Sequence, residues 1–184
     1  MARVLSVNIG HPRMVERNGE LVATSIWKMP VAERLPVRGV HVGDDVQSGG
    51  GHGGPDKAVY AYASEDAAWW SAQLGRDLGP GAFGENLTLE GLDLTSSRVG
   101  DRWRVGTALL EVAGPRMPCW KLELKMGEKG FIERFTAAGR PGAYLRIVEE
   151  GSVGPGDELV VVLRADGTDT MGEAMRRKAA ATPA

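Results

Sequence analysis

The sequence predicts a mainly β fold of the α+β class, a barrel or sandwich with a few helices packed outside it. Three observations carry this. Short runs that are apolar or alternate at period two recur along most of the chain. Twenty-six glycines and ten prolines in 184 residues favour many short elements joined by tight turns over long helices. Strands and helices do not alternate regularly, which argues against a doubly wound parallel sheet.

Residues 3–9 read as the opening strand, and residues 20–29 alternate apolar with polar side chains. Between them Asn18-Gly19 is a two-residue hairpin turn. Residues 37–42 form another short strand candidate, residues 43–56 a glycine-loaded loop, and residues 58–63 a strand emerging from it. Ser64 reads as a helix N-cap, with Glu65 and Asp66 complementing the dipole and Gly75 as the stop. Loop 79–84 leads to a strand at 86–89. Residues 102–105 and 108–113 flank Gly106-Thr107 as a hairpin. Helix candidates follow at 120–125 and 132–138, then strands at 143–148 and 158–163 separated by a Gly-Pro-Gly turn. These elements make one domain over residues 1–164. Residues 165–184, polar and Ala-rich, are expected to be a flexible tail with at most a transient helix around 173–178.

A formal net charge of −2 and a pI near 6.0 argue against a nucleic-acid polymer as partner. The single cysteine excludes an internal disulfide and any thiolate cluster for zinc or iron–sulfur. No secretory pattern precedes the first strand and no apolar run is long enough to span a bilayer, so a cytoplasmic protein without membrane attachment is expected. The oligomeric state stays open between monomer and homodimer.

Two stretches match G-x-G-x-x-G, at residues 49–54 and 79–84. Neither is a dinucleotide fingerprint, because strands rather than helices follow both. Their glycines still matter: backbone without Cβ atoms approaches a ligand closely, and successive N–H groups form anion nests. The alternative is a simple tight loop. His52, Asp56 and Lys57 lie in or beside the first loop, where His52 is a candidate base or acid and Lys57 a point charge for a phosphate. His11 and His41 read as structural donors. Cys119 stands in Arg116-Met117-Pro118-Cys119-Trp120-Lys121, where two cations favour the thiolate, the form that attacks and that binds metals. A buried inert thiol is the commoner fate of a lone cysteine.

Taken together, four ordered segments resemble the MOSC domain, the family named for the C-terminal domain of molybdenum-cofactor sulfurases. They are His52-Gly53-Gly54-Pro55-Asp56-Lys57-Ala58-Val59-Tyr60-Ala61-Tyr62, then Pro80-Gly81-Ala82-Phe83-Gly84-Glu85-Asn86-Leu87-Thr88, then residues 99–106 leading to Pro115-Arg116-Met117-Pro118-Cys119, and last Gly139-Arg140-Pro141-Gly142-Ala143-Tyr144-Leu145-Arg146. Their order resembles the bacterial stand-alone (YiiM-like) branch over residues 3–163. The resemblance implies a β-barrel with peripheral helices and a central pocket for the molybdenum cofactor, with Cys119 as metal ligand. It also implies reduction of small N-hydroxylated compounds (purine bases, amidoximes) with electrons from a separate reductase. The cofactor-binding set would then be Gly53, Gly54, Asp56, Lys57, Gly84, Asn86, Arg116 and Arg140, with Cys119, His52 and Glu85 as the catalytic set and Glu85 or His52 supplying a proton. Two other readings compete: a sulfur carrier bearing a persulfide on Cys119, and a cofactor-binding module without turnover.

Overall fold

The computed structural model describes residues 1–48 and 53–181. In chain order its strands are β1 (Ala2–Ile9), β2 (Arg13–Arg17), β3 (Glu20–Thr24), β4 (Met29–Val31), β5 (Leu35–Arg38), β6 (His41–Val42) and β7 (Val59–Ala63), followed by helix α1 (Ser64–Leu74). Then come β8 (Leu87–Glu90), β9 (Arg102–Val105), β10 (Ala108–Gly114), α2 (Trp120–Met126), α3 (Phe131–Ala138), β11 (Ala143–Glu149), β12 (Gly151–Val153), β13 (Glu158–Leu163) and α4 (Met171–Ala181).

Seven strands close into a barrel in the order β1-β8-β7-β11-β10-β9-β13, and the ring shuts where Ala2 pairs with Leu159 and Arg3 with Glu158. Every pairing in the ring is antiparallel except β7 with β8, which α1 connects as a crossover helix. Strand periodicity explains the wall. On β9, Trp103 and Val105 are buried, while Arg102 and Arg104 face outward to ion pairs with Glu111 and Glu149. β7 is buried on both faces: Val59, Ala61 and Ala63 join the barrel core, and Tyr60 and Tyr62 join a second, aromatic core beneath the helices. There Tyr62 stacks on Phe83 with ring centroids 4.0 Å apart, beside Trp70, Phe131 and Phe135. A three-stranded sheet of β12, β5 and β6 and the β2–β3 hairpin complete the molecule. Among the described residues no helix is long and apolar enough to cross a membrane.

The mainly β barrel is therefore as expected, with differences in its parts. The Asn18-Gly19 turn is present, with φ of 52° and 81°, but it joins β2 to β3 and leaves β1 to the barrel. The expected strand at 20–29 breaks after Thr24, because residues 25–28 turn inward. The run 37–42 is a small hairpin of β5 and β6 around Gly39, whose φ is 55°. β12 was not anticipated within the Gly-Pro-Gly connection, and Ser64 is the first helical residue, not the cap.

Within the expected flexible tail 165–184, residues 171–181 form a docked helix, while residues 182–184 lie outside the described residues. Met171, Ala174 and Met175 are buried, an i, i+3, i+4 stripe that docks α4 on the body. Its start is a capping box: the Glu173 N–H donates to the Thr170 hydroxyl (3.2 Å), and the Thr170 N–H donates to the Glu173 carboxylate (2.8 Å). The Thr170 N–H and hydroxyl, both donating to that carboxylate, hold the Glu173 carboxyl below its ordinary pKa.

Candidate functional site

One cavity collects most of the chemistry. It is bounded by Thr24, Ser25, Ile26 and Lys28 at the end of β3 and beyond it, by residues 45–48, Gly53 and Lys57 of the glycine loop, by Tyr60 and Tyr144, by Gly84 and Asn86, and by Arg116, Cys119 and Lys121. Tyr60 and Tyr144 are register partners on β7 and β11, and both point away from the barrel core. The cavity therefore lies on the outer flank of the barrel. The barrel core is apolar, and the cavity does not lie within it.

Cys119 is half-buried and precedes the first turn of α2, its carbonyl accepting the Leu122 N–H at 2.9 Å. Arg116 is buried, donates to the Phe83 carbonyl, and lies over the Tyr60 ring at 4.9 Å. Among the described residues no carboxylate stands within ion-pair distance of it. Burial opposes its charge, but in the alkaline range where it would titrate, the ionised forms of Tyr60, Tyr144 and Cys119 push its pKa above the ordinary arginine value. Tyr60, whose hydroxyl donates to the Pro141 carbonyl at 2.9 Å, and Tyr144 are both pushed up by burial and stay neutral. The Lys121 ammonium donates to the Ser48 carbonyl (2.9 Å), and burial lowers its pKa against the pull of Cys119. Lys57 reaches toward the Tyr144 ring, 6.0 Å from its centroid.

Below these lies a neutralised floor. Lys28 and Asp45 form a buried ion pair, and Asp45 also accepts the Gly10 N–H (2.8 Å) and the Asn86 side-chain amide (2.9 Å). Burial lowers the Lys28 pKa and Asp45 opposes that. The pair joins the segments that carry Gly10, Lys28, Asp45 and Asn86.

Of the expected site residues, Cys119, Arg116, Lys57, Gly53, Gly84 and Asn86 all line this cavity. Asn86 does so with its amide already engaged: Oδ1 accepts the Tyr60 N–H, and Nδ2 donates to Asp45 and to the Asn8 carbonyl. Its work is structural. Glu85 is turned away. Its buried carboxylate accepts the Gly81 N–H (2.6 Å), the Phe83 N–H (3.0 Å) and the Thr88 hydroxyl (2.8 Å), so it closes its own loop and does not face the cavity. Burial raises its pKa in spite of those donors. Asp56 is exposed and paired with Arg146 at 2.7 Å, outside the cavity. Arg140 pairs with Asp66 and stacks over Trp69 at 4.8 Å, on the α1 side. Gly54 lies behind the lining, its N–H donating to Gln47. His52 is outside the described residues. Tyr60, Tyr144, Gln47, Ser48 and the Lys28–Asp45 pair were not singled out from the sequence. For the tyrosines the available signal was strand alternation within the family segments themselves.

Among the described residues no set of three or more His, Cys, Asp or Glu side chains is grouped to hold a metal ion. The site's donor chemistry is one thiol, several cations and two neutral phenols.

A sequence model of the MOSC domain matches residues 48–160. The chain is 39% identical over 164 residues to "Uncharacterized protein YflK" of Bacillus subtilis, covering 89% of this chain and 74% of that one. It superposes on the crystal structure of YiiM from Geobacillus stearothermophilus with a TM-score of 0.79 and 35% identity, covering 97% of this chain and 84% of that one. A Gibberella moniliformis protein named "Reductase" is 28% identical over 165 residues, which span 88% of this chain and only 29% of that protein. By its sequence and its barrel the chain belongs to the MOSC domain family.

Proposed function

We propose that the flank cavity holds an anionic molybdenum–pterin cofactor with Cys119 as metal ligand, and that the chain is an oxidoreductase for small N-hydroxylated compounds. The observation that carries this is Arg116: a buried guanidinium with no carboxylate within ion-pair distance among the described residues, beside the thiol of the same cavity. A buried charge is costly until an anion meets it. A phosphate-bearing ligand supplies that anion, and Lys57, Lys121 and the Gly53 backbone line the same space.

The donor set fits such a group. One thiolate is a suitable soft ligand for a metal that brings its remaining donors with it. The Tyr60 and Tyr144 rings form a wall for a flat heterocycle. When bound, the cofactor would supply two-electron redox chemistry. The chain's own part is to hold it, to anchor its charge and to keep Cys119 on the cavity wall. Overall, an N-hydroxylated substrate takes up two electrons and two protons, the N–O bond breaks, and amine and water leave. The electrons would be supplied by a separate reductase, as the family resemblance implies. The family's name and the relative named as a reductase support this reading.

Anaerobic reconstitution tests it. Wild type should retain molybdenum and pterin in equal amounts, and Cys119→Ser should keep pterin while losing most of the metal. If neither protein retains pterin under conditions that load a known molybdoenzyme, the reading fails. Mass spectrometry for one labile added sulfur on Cys119 would then decide for a persulfide carrier.

A further inference from the structure

The glycine loop enters and leaves the cavity wall through one side chain. Gln47 stands at its entry. The Gln47 Nε2 group donates to the Val40 carbonyl (2.8 Å) in the β5–β6 turn, and reaches the Lys57 carbonyl (3.3 Å) and the Ala58 carbonyl (3.4 Å) at the loop's exit. Its Oε1 accepts the Gly54 N–H (3.2 Å). A single amide therefore spans both limbs and a third segment, with both ends of its hydrogen-bonding capacity in use.

Gly53 fits around it. Its φ is +124°, and a Cβ built there would lie 2.2 Å from the Gln47 Oε1. The amide occupies the space a side chain at position 53 would need. Ser48, next in the chain, is held from the opposite side: Lys121 donates to its carbonyl at 2.9 Å, and its hydroxyl lies 2.6 Å from that of Ser25.

We propose that Gln47 is a positioning residue, a clasp joining entry and exit of the glycine loop so that Gly53 and Lys57 present one preformed anion-binding face to the cavity. This rests on the reading of the cavity as an anion site. The physical reason is preorganisation: Gly53, Gly54 and Lys57, tied to Gln47 before any ligand arrives, have less freedom left for anion binding to remove. Gln47 would act on the anion through Lys57 and the loop backbone.

A double-mutant cycle on the full chain, read by NMR at the Gly53 and Gly54 amides during titration with inorganic phosphate, tests this. Wild type should show saturable shifts at both amides. Gln47→Met, which keeps the volume and removes the amide, should weaken phosphate about tenfold. Lys57→Met should also cost about tenfold in wild type, but under about threefold in the Gln47→Met background, because the clasp that aims Lys57 is gone. Gln47→Glu keeps the shape and the acceptor but sets oxygen against three carbonyls. It should behave like Gln47→Met, and replaces it in the cycle if that variant does not fold. Wild-type affinity in the Gln47 variants, or a Lys57→Met effect of the same size in both backgrounds, overturns the clasp and leaves the anion site standing. Absence of any saturable shift in wild type removes the anion site itself, and the clasp with it.

Discussion

Lys125, on the last turn of α2, ties the helix that follows Cys119 to two segments at the cavity edge. Its ammonium donates to the Ile26 carbonyl at 2.9 Å and to the Gly81 carbonyl. Burial lowers its pKa to about 8; Glu85 resists this, while Arg116, Lys28 and Arg13 add to it. The unfolded chain keeps this proton up to the ordinary value of 10.5, whereas the folded chain releases it near 8. The group's contribution to stability is therefore complete above 10.5 and is lost as pH falls through 8. Relative to Lys125→Met, wild type should gain on the order of 1–3 kcal/mol in unfolding free energy across that window. Urea titrations of both proteins at several pH values measure it, and a constant difference would contradict the burial argument. At this scale the sequence was legible where chemistry is local. Cys119 between two cations, and Lys57 and Gly53 in a glycine loop, all line the cavity. It misled where orientation decides: Glu85 belongs to the same glycine-rich segment whether it faces a ligand or its own loop amides, and here it takes the amides.

Among the elements, α4 shows how a weak pattern becomes a docked helix. Thr170 and Glu173 carry the capping-box spacing, and Met171 and Met175 stand one turn apart, yet the segment is otherwise polar. Two methionines suffice once a complementary apolar surface exists, and that surface comes from residues distant in the chain. Met175→Ala should cost about 2–4 kcal/mol, the usual range for emptying a buried methionine site. It should also speed limited proteolysis at residues 164–169, where α4 connects to β13. Unchanged stability and unchanged cleavage would mean that the stripe does not anchor the helix. Gly75 was read as the stop of α1 from the sequence and is left-handed there, and Gly127 and Gly139 end α2 and α3 in the same conformation. The break after Thr24 had no such signal, because no Gly or Pro stands at residues 24–28 to mark it, and Ser25, Ile26 and Lys28 line the cavity.

For the whole molecule, two cores share one wall. Trp103 lies in the barrel core and Trp70 in the aromatic core outside it, and β7 contributes to both. With a strand common to both cores, neither layer is expected to melt alone. Trp70→Phe and Trp103→Phe, each leaving the other tryptophan as principal core reporter, should give fluorescence midpoints in urea that coincide with far-UV circular dichroism of the same variant. Separated midpoints would make the helical layer an independent unit. The amino-acid sequence alone determined the mainly β class, most strand positions, the helix stops, and the thiol, cation and glycine loop of the site, because period, turn chemistry and flanking charge act over a few residues. Tertiary structure decided which face of β7 and β11 borders the cavity, that the cavity lies outside the barrel, that Asp56, Glu85 and Arg140 are committed elsewhere, and that Gln47 joins the limbs of the loop. Those outcomes depend on which distant segments meet, and ring closure sets that.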